Sequence, residues 1–258
     1  MCELFGITGK KNKDITPELK VFFSHADENP DGWGVALLGD GRDNVIREER
    51  RADRSRRVRD MLSYGVRASN LIAHIRLATI GYDDLRNTHP FTADDISYRT
   101  WTLAHNGTVF ESEPLTPYFY RQDGDTDSER ILLYLTDCIN KETENKGRAL
   151  DAAERFEVID RCISLISPRN KLNLLMYDGE QMYVHTNYRD SLYMRKDCDG
   201  SVIFATRALG GGDWERVPFT QLLAYRDGEL LYRGTDHGNE YIPDECSINA
   251  LYLAYSGL

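Results

Sequence analysis

Two consecutive helical patterns in the middle of the chain, with strand patterns around them, constrain the fold most strongly. Apolar side chains recur at helical spacing over residues 131–139 and again over 152–166. Further on, Asp178-Gly179 and Asp227-Gly228 each separate two apolar runs. Such pairs are typical of hairpins, because Asp and Gly tolerate positive φ in the turn. The sequence therefore predicts an α+β fold in which helices pack on stacked, mainly antiparallel sheets.

The remaining elements complete this prediction. Short apolar runs predict three more strands, at 4–8, 33–38 and 70–79. Residues 17–26 are predicted to form a helix with Thr16 as its N-cap. The polar stretches 40–44 and 141–147 are predicted to be exposed loops. Because no repeat or linker divides the chain, we expect a single domain over residues 1–258.

Composition narrows the classes of function. The 258 residues carry a formal net charge of −10, which argues against nucleic acid and anionic membrane as partners, because both attract basic surfaces. No apolar run reaches the ~20 residues of a membrane span, and no secretory leader is recognisable, so we expect a cytoplasmic protein. Without a GxGxxG or P-loop motif we expect no nucleotide cofactor, and no other cofactor is indicated.

Cys2 differs from the other cysteines by its position. If Met1 is removed, Cys2 carries a free α-amine, whose reference pKa of ~7.7–8.0 suits it to take the thiol proton. Nucleophile and base would then belong to one residue. A chance cysteine at this position is the alternative explanation. Paired spacing is absent from the other four, which we interpret as structural or incidental: Cys138, Cys162, Cys198 and Cys246.

A series of ordered motifs follows Cys2. They are Cys2-Glu3-Leu4-Phe5-Gly6, Asp31-Gly32-Trp33-Gly34, His74-Ile75-Arg76-Leu77-Ala78-Thr79, Asn87-Thr88-His89-Pro90-Phe91, Ala104-His105-Asn106-Gly107-Thr108 and Asp125-Thr126-Asp127-Ser128-Glu129. Together they resemble class II glutamine amidotransferases of the N-terminal nucleophile superfamily, most closely the YafJ-like stand-alone branch. The motifs cover roughly the first half of the chain. The resemblance implies a four-layer αββα sandwich and hydrolysis of the glutamine side-chain amide to glutamate and ammonia through a Cys2 thioester.

The resemblance also implies how the substrate is held. Arg76 would bind the substrate α-carboxylate, which its planar fork matches, whereas the alternative is a surface ion pair. Asp127 would accept the α-ammonium group. Helix capping competes with that role, because Thr126 and Glu129 have the spacing of a capping box. Two further residues are assigned to the substrate site by the resemblance, Thr79 and His89.

Asn106 and Gly107 would form the oxyanion hole, with the Asn amide and the Gly N–H directed at the developing negative charge. An Asn-Gly pair is also typical of a hairpin turn, and Asn106-Gly107-Thr108 is formally a glycosylation acceptor. The sequence leaves the turn open as an alternative. Glycosylation does not fit the expected cytoplasmic location.

Three of the six histidines, His74, His89 and His105, fall within these motifs. A zinc site built from them is an alternative, but HxH and HExxH spacings are absent, so we expect no metal. In one place the sequence departs from the family, where many members carry an Arg-Gly pair. Here the segment reads Asn29-Pro30-Asp31-Gly32-Trp33.

The partner follows from the implied reaction. The substrate would be glutamine or another small γ-glutamyl molecule. Since we expect no synthase domain in this chain, either a separate synthase accepts the ammonia or the protein hydrolyses γ-glutamyl peptides or amides. A non-catalytic glutamine-binding protein is the alternative if Met1 is retained. The oligomeric state is left open by the sequence.

Overall fold

The computed structural model describes residues 2–39, 44–78, 84–110 and 112–244. Its strands are β1 (Glu3–Asp14), β2 (Trp33–Leu38), β3 (Asn44–Glu48), β4 (Arg67–Ile75), β5 (Phe91–Asp94), β6 (Thr100–Thr108), β7 (Lys171–Tyr177), β8 (Met182–His185), β9 (Tyr193–Lys196), β10 (Val202–Ala205), β11 (Glu215–Arg216), β12 (Leu223–Arg226) and β13 (Glu229–Arg233). Its α-helices are α1 (Thr16–Ser24), α2 (Arg56–Tyr64), α3 (Asp127–Lys146) and α4 (Ala152–Ile166).

The strands form two antiparallel sheets. The order in the first sheet is β11-β9-β10-β1-β4-β2-β3, and in the second it is β13-β12-β8-β7-β6-β5. β1 occupies the centre of the first sheet, where Phe5 pairs with Ala205 on one side and with Ala73 on the other. The chain's first strand is therefore held along both edges.

Alternating side chains divide the apolar residues among three layers. Phe5 and Ile7 pack outward with Leu19 and Phe22 of α1. Leu4 packs inward against residues of the other sheet, in a core that includes Ile72, Ala104, Leu175 and Phe204. On the far side of the second sheet, α3 and α4 cover a third cluster that includes Trp101, Leu103, Leu135 and Ile159. The predicted four-layer αββα sandwich is confirmed.

The predicted elements differ from the observed ones mainly at their ends. Thr16 is not the N-cap of α1, because its hydroxyl donates to Asp14 and accepts from the Val66 N–H. Residues 141–147 are not a loop, since α3 continues to Lys146 and ends at Gly147 in the left-handed conformation. Polar Lys, Glu and Asn side chains are compatible with an exposed helical turn, so polarity alone misled the prediction. Of the predicted loop 40–44, the first four residues lie outside the described ranges and Asn44 begins β3.

Both predicted hairpins are present, but their connecting loops differ in length. Asp227 and Gly228 have positive φ and join β12 to β13 as a two-residue turn. In the β7–β8 hairpin Tyr177 pairs with Met182, so four residues form the loop. Gly179 has positive φ there, while the Asp178 carboxylate turns inward and accepts hydrogen bonds from the backbone N–H groups of Glu180 and Gln181.

A buried ion pair fastens this hairpin to α4. Arg155 Nε donates to Asp178 Oδ2 at 2.7 Å, and both side chains are almost completely buried. Tyr183 donates its hydroxyl proton to the same carboxylate oxygen at 2.9 Å. Removing one member of such a pair leaves an uncompensated charge in the interior.

We therefore expect Arg155→Met to lower the free energy of unfolding by about 3–5 kcal/mol, because Asp178 stays buried and is left with the more distant Arg99, at 4.0 Å, as its cation. Denaturant unfolding measures the effect. Arg148→Met is the matched control, since Arg148 makes an exposed ion pair with Glu154, and it should leave the midpoint nearly unchanged. Equal midpoint shifts in the two variants would contradict the assigned role of Arg155.

Membrane insertion was not expected from the sequence. Within the described ranges, none of the helices has both the length and the apolar character needed to span a bilayer.

Candidate active site

Cys2 stands immediately before β1 and next to the end of β4. Because side chains alternate along a strand, Cys2 shares the inward face of Leu4, between the two sheets. The register pairs Glu3 with Ile75, which places Cys2 opposite Arg76. The backbone of Leu77 makes two hydrogen bonds with the sulfur. Its N–H donates to Sγ at 3.2 Å, and its carbonyl oxygen accepts from Sγ at 3.2 Å.

The surroundings of the Cys2 thiol act on its ionisation in opposite directions. Burial raises the pKa of the thiol, whereas the Leu77 N–H and the positive charges of Arg76 and Lys171 lower it. A thiolate is the reactive form of cysteine, and cationic neighbours favour it. Reactivity of Cys2 therefore depends on these two cations and on a base that accepts the proton.

Arg76 is buried at the end of β4 and is fastened to the segment before β2. Its Nη1 donates to the carbonyl oxygen of Asp31 at 3.4 Å, and its backbone N–H donates to the carbonyl of Gly32 at 2.8 Å. The Asp31 carboxylate accepts from the Ala78 N–H at 2.7 Å. Asp31 and Gly32 belong to the segment that departs from the family pattern, so in this chain that segment supports the loop that follows Arg76.

His74 and His89 pack against each other near Arg76, with ring centroids 4.2 Å apart and ring planes tilted by 38°. Phe91 packs edge-on against His89, with ring centroids 4.7 Å apart. Burial lowers the pKa of His74 to about 3 and that of His89 well below its usual value, so both rings are neutral at physiological pH. Gly34 permits this packing, because a Cβ there would lie 2.1 Å from the His89 carbonyl oxygen. Contact of His89 with a substrate stays a prediction.

Asn106 and Gly107 lie near the end of β6 and not in a turn. Asn106 pairs with Asn173 and Gly107 with Leu172 of β7, which removes the hairpin alternative. Ala104, two residues before Asn106, faces the core between the sheets, so Asn106 faces the layer that contains Cys2. Its Oδ1 accepts a hydrogen bond from Lys171 Nζ at 3.5 Å.

A hydrogen-bond network joins β6 to the start of α3 on the opposite face of the sheet. His105 Nε2 donates to the Lys171 carbonyl oxygen at 3.0 Å, which leaves Nδ1 of the neutral ring to accept from the Ser128 hydroxyl at 2.9 Å. Burial lowers the pKa of His105 and keeps the ring neutral. Asp127, the neighbour of Ser128, accepts the Val109 N–H at 2.6 Å. These contacts fix β6 and Asp127 relative to each other.

The helix-capping alternative for Asp127 is only partly realised. Thr126 caps α3 through its hydroxyl, which accepts the Glu129 N–H at 3.3 Å. The reciprocal bond of a capping box is absent here, because the Glu129 carboxylate accepts from the N–H groups of Asp123 and Gly124. Capping therefore uses Thr126 and leaves the position of Asp127 to be explained by its buried contact with Val109.

Two residues covered by the sequence predictions are not among the described residues. Thr79, predicted to bind substrate, lies outside the described residues, as does Cys246. Over the ranges that the structure describes, there is no group of three or more His, Cys, Asp or Glu side chains arranged to hold a metal ion.

A model of the family described as class-II glutamine amidotransferases matches residues 1–199, which is most of the chain. The chain belongs to the class II glutamine amidotransferase family. The resemblance drawn from the motifs is thereby confirmed, and the matched range contains Cys2, Arg76, Asn106, Gly107 and Asp127.

Similar proteins support the assignment to class II glutamine amidotransferases. YafJ of Escherichia coli is 28% identical over 193 residues, which are 72% of this chain and 74% of YafJ. One similar crystal structure is described as that of a predicted glutamine amidotransferase from Pseudomonas aeruginosa. The alignment with it covers 90% of this chain and 100% of the other chain, with 20% sequence identity and a TM-score of 0.63. The alignment with glutamine phosphoribosylpyrophosphate amidotransferase of Bacillus subtilis covers 89% of this chain and 48% of that enzyme's chain, with 18% sequence identity and a TM-score of 0.65. At these identities the two structures show a shared fold.

One residue of this amidotransferase site was not recognised in the sequence. Lys171 begins β7, is buried, and contacts Asn106 while its charge acts on Cys2. Its only signal in the sequence is a lysine at the start of a mainly apolar strand, which is also a common pattern for an exposed strand end. The pairing of β6 with β7 brings it into the site.

Gly107 provides a test of how closely the two strands approach. A Cβ at this position would lie 1.8 Å from the Lys171 carbonyl oxygen and 2.2 Å from His105 Nε2, so we expect Gly107→Ala to lower the free energy of unfolding by at least about 1–3 kcal/mol. Gly211→Ala is the control, because a Cβ there meets nothing within 4 Å. Thermal unfolding compares the two variants. If Gly107→Ala melts with the wild type, the close approach is not as described.

Proposed function

We propose that this protein hydrolyses the side-chain amide of glutamine through Cys2, acting as an N-terminal nucleophile after removal of Met1. The observation that carries the proposal is the position of Cys2: it lies on the inward face, opposite the buried Arg76 and beside the Lys171 that contacts Asn106. A thiol, a carboxylate-binding cation and an amide donor thus line one site between the sheets.

The proposed reaction begins with transfer of the thiol proton to the α-amine of Cys2. The thiolate attacks the amide carbon, and the resulting oxyanion accepts hydrogen bonds from Asn106 Nδ2 and the Gly107 N–H. The ammonium of Cys2 then returns its proton to the leaving nitrogen, so ammonia departs and a γ-glutamyl thioester remains. Water attacks the thioester, the amine takes its proton, and glutamate is released with the thiol restored.

The substrate α-carboxylate would be bound by Arg76, whose guanidinium is held in place by the Asp31 carbonyl. Asp127 would accept the α-ammonium. Its carboxylate accepts the Val109 N–H, and a carboxylate has about four lone-pair sites, so acceptor capacity remains. Thr79 and His89 are included in the proposed substrate site on the family resemblance.

Glutamine and larger γ-glutamyl amides share the groups that Arg76 and Asp127 would bind, so a γ-glutamyl peptide or amide is the second candidate substrate. Glutamine amidotransferases pass ammonia to a synthase, and we propose that any such acceptor is a separate protein.

We also propose that residues 1–258 form one domain. Both sheets combine strands from before and after α3 and α4: β1 pairs with β10, and β6 pairs with β7. We also propose a cytoplasmic location, as expected from the sequence.

A diazo-ketone analogue of glutamine tests the nucleophile, because it alkylates a thiol that lies where the glutamine amide binds. We expect the intact mass to lack Met1 and to gain one adduct, located on Cys2 by peptide mapping. Cys2→Ala should gain none. Cys198→Ala, which removes an exposed thiol, should react like the wild type. A retained Met1 without an adduct would instead favour the non-catalytic glutamine-binding protein, and a processed chain without an adduct would favour a different γ-glutamyl substrate.

Substitutions at Asn106 and Arg76 should separate catalysis from binding. We expect Asn106→Ala to lower kcat for glutamine hydrolysis by about 10²–10³-fold with little change in KM, because it removes a donor needed in the transition state. Arg76→Lys should mainly raise KM, since lysine lacks the planar fork for a carboxylate. Steady-state ammonia release measures both. Unchanged kcat in Asn106→Ala would remove Asn106 from the oxyanion hole.

A further inference from the structure

Lys171 is a buried lysine for which the proposed reaction has not yet given a role. Its side chain is almost fully enclosed at the first position of β7. Lysine is seldom buried to this extent without a charged or polar partner, because removing an ammonium from water is costly. The contacts of its Nζ therefore indicate what the side chain is for.

Its position in the sheet directs the side chain toward Cys2. Leu175, four residues later on β7, lies in the core between the sheets, so Lys171 points to the same inward face. Thr108 is its partner on β6, and Asn106 precedes Thr108 on that face. Nζ lies 3.5 Å from Asn106 Oδ1 and 5.0 Å from the centre of the Tyr188 ring. The ammonium is thus held between an amide oxygen and an aromatic face.

This contact determines which way the Asn106 amide faces. A protonated lysine has three donors and no acceptor, so it can contact Oδ1 favourably but not Nδ2. With Oδ1 turned to Lys171, the two N–H groups of Nδ2 are directed elsewhere on the inward face, where the oxyanion would form. If the Asn106 amide were rotated by 180°, its Nδ2 donor would face the Lys171 ammonium, which is also a donor.

The charge of Lys171 also acts on Cys2. It lowers the pKa of the Cys2 thiol, and the Cys2 charge in turn raises that of Lys171, while burial lowers the pKa of Lys171 to about 8. Other groups near the pair are Arg76 immediately after β4, His105 from β6 and Tyr188 after β8, together with the α-amine of processed Cys2. Burial of the thiol outweighs these charges, so the pKa of Cys2 is raised overall, and the charge of Lys171 offsets part of the cost of forming the thiolate.

We propose that Lys171 is a positioning residue of the hydrolase site, which orients Asn106 for the oxyanion and stabilises the Cys2 thiolate. The proposal rests on the proposed function of Cys2 and Asn106. It assigns no substrate contact to Lys171, because the substrate groups are accounted for by Arg76 and Asp127.

The test compares Lys171→Met, Lys171→Gln and Lys171→Arg with the processed wild type. For Lys171→Met we expect kcat for glutamine to fall about 10–10²-fold while KM stays within about twofold, because Arg76 and Asp127 still bind the substrate. Lys171→Arg, which keeps the charge and donors, should recover part of kcat. Lys196→Met, at an exposed lysine of β9, is the control for loss of a positive charge and should match the wild type.

Two further readouts distinguish positioning from a structural role. The pH profile of Cys2 alkylation by iodoacetamide should shift to higher pH in Lys171→Met and Lys171→Gln, since the thiolate loses a neighbouring cation, but not in Lys171→Arg. In the double variant Lys171→Met/Asn106→Ala, the loss of kcat should be smaller than the product of the two single losses, because part of the effect of Lys171 is exerted through Asn106. If Lys171→Met does not fold, Lys171→Gln and Lys171→Arg carry the same comparison.

A kcat within twofold of wild type together with an unchanged alkylation profile would overturn the role of Lys171. Fully additive losses in the double variant would overturn its action through Asn106. The proposed function fails separately, if the processed wild type releases no ammonia and does not react with the glutamine analogue. The alkylation profile still tests the effect of Lys171 on Cys2 in that case, since iodoacetamide requires no substrate site.

Discussion

Everything proposed for the site depends on β1 being held on both sides. Its hydrogen bonds to β4 and β10 fix the register of the first strand, and register determines which face each side chain occupies. A shift by one residue would move Cys2 from the layer between the sheets to the layer beneath α1. The N-terminal residue of a chain is ordinarily poorly ordered. Here the adjoining strand is paired on both sides, so the position of the proposed nucleophile is fixed by the sheet.

The second constraint is electrostatic. Three buried histidines near the site are kept neutral by burial, and the side chains whose positive charge acts on the Cys2 thiol are Arg76 and Lys171. Neutral rings can pack closely, as His74 and His89 do, without competing for the substrate's charged groups. Asp127 is fixed at the start of α3 by its carboxylate, which accepts the Val109 N–H. In the proposed complex, the α-carboxylate of an amino acid would face Arg76 and its α-ammonium group would face Asp127.

The sequence predicted the fold well where a pattern is local. Helical spacing located α3 and α4, and the Asp-Gly pairs located two hairpins, because backbone preferences and side-chain periodicity act over a few residues. It predicted poorly where a long-range contact decides. Thr16 looked like a helix cap, but Val66 and Asp14 use its hydroxyl instead. The end of α3 is polar in the sequence and helical in the structure, since an exposed helical turn needs no apolar residue.

The same distinction explains which site residues could be found. Cys2, Arg76, Asn106, Gly107 and Asp127 lie in motifs, so the family resemblance identified them, although no spacing in the sequence places them near one another. Lys171 lies outside every motif, and only the pairing of β6 with β7 brings its ammonium to Asn106. A lysine at that strand position would be unremarkable on an exposed edge. In the interior, as we propose, its charge has two effects at once: it favours the Cys2 thiolate, and it orients the Asn106 amide that would stabilise the oxyanion.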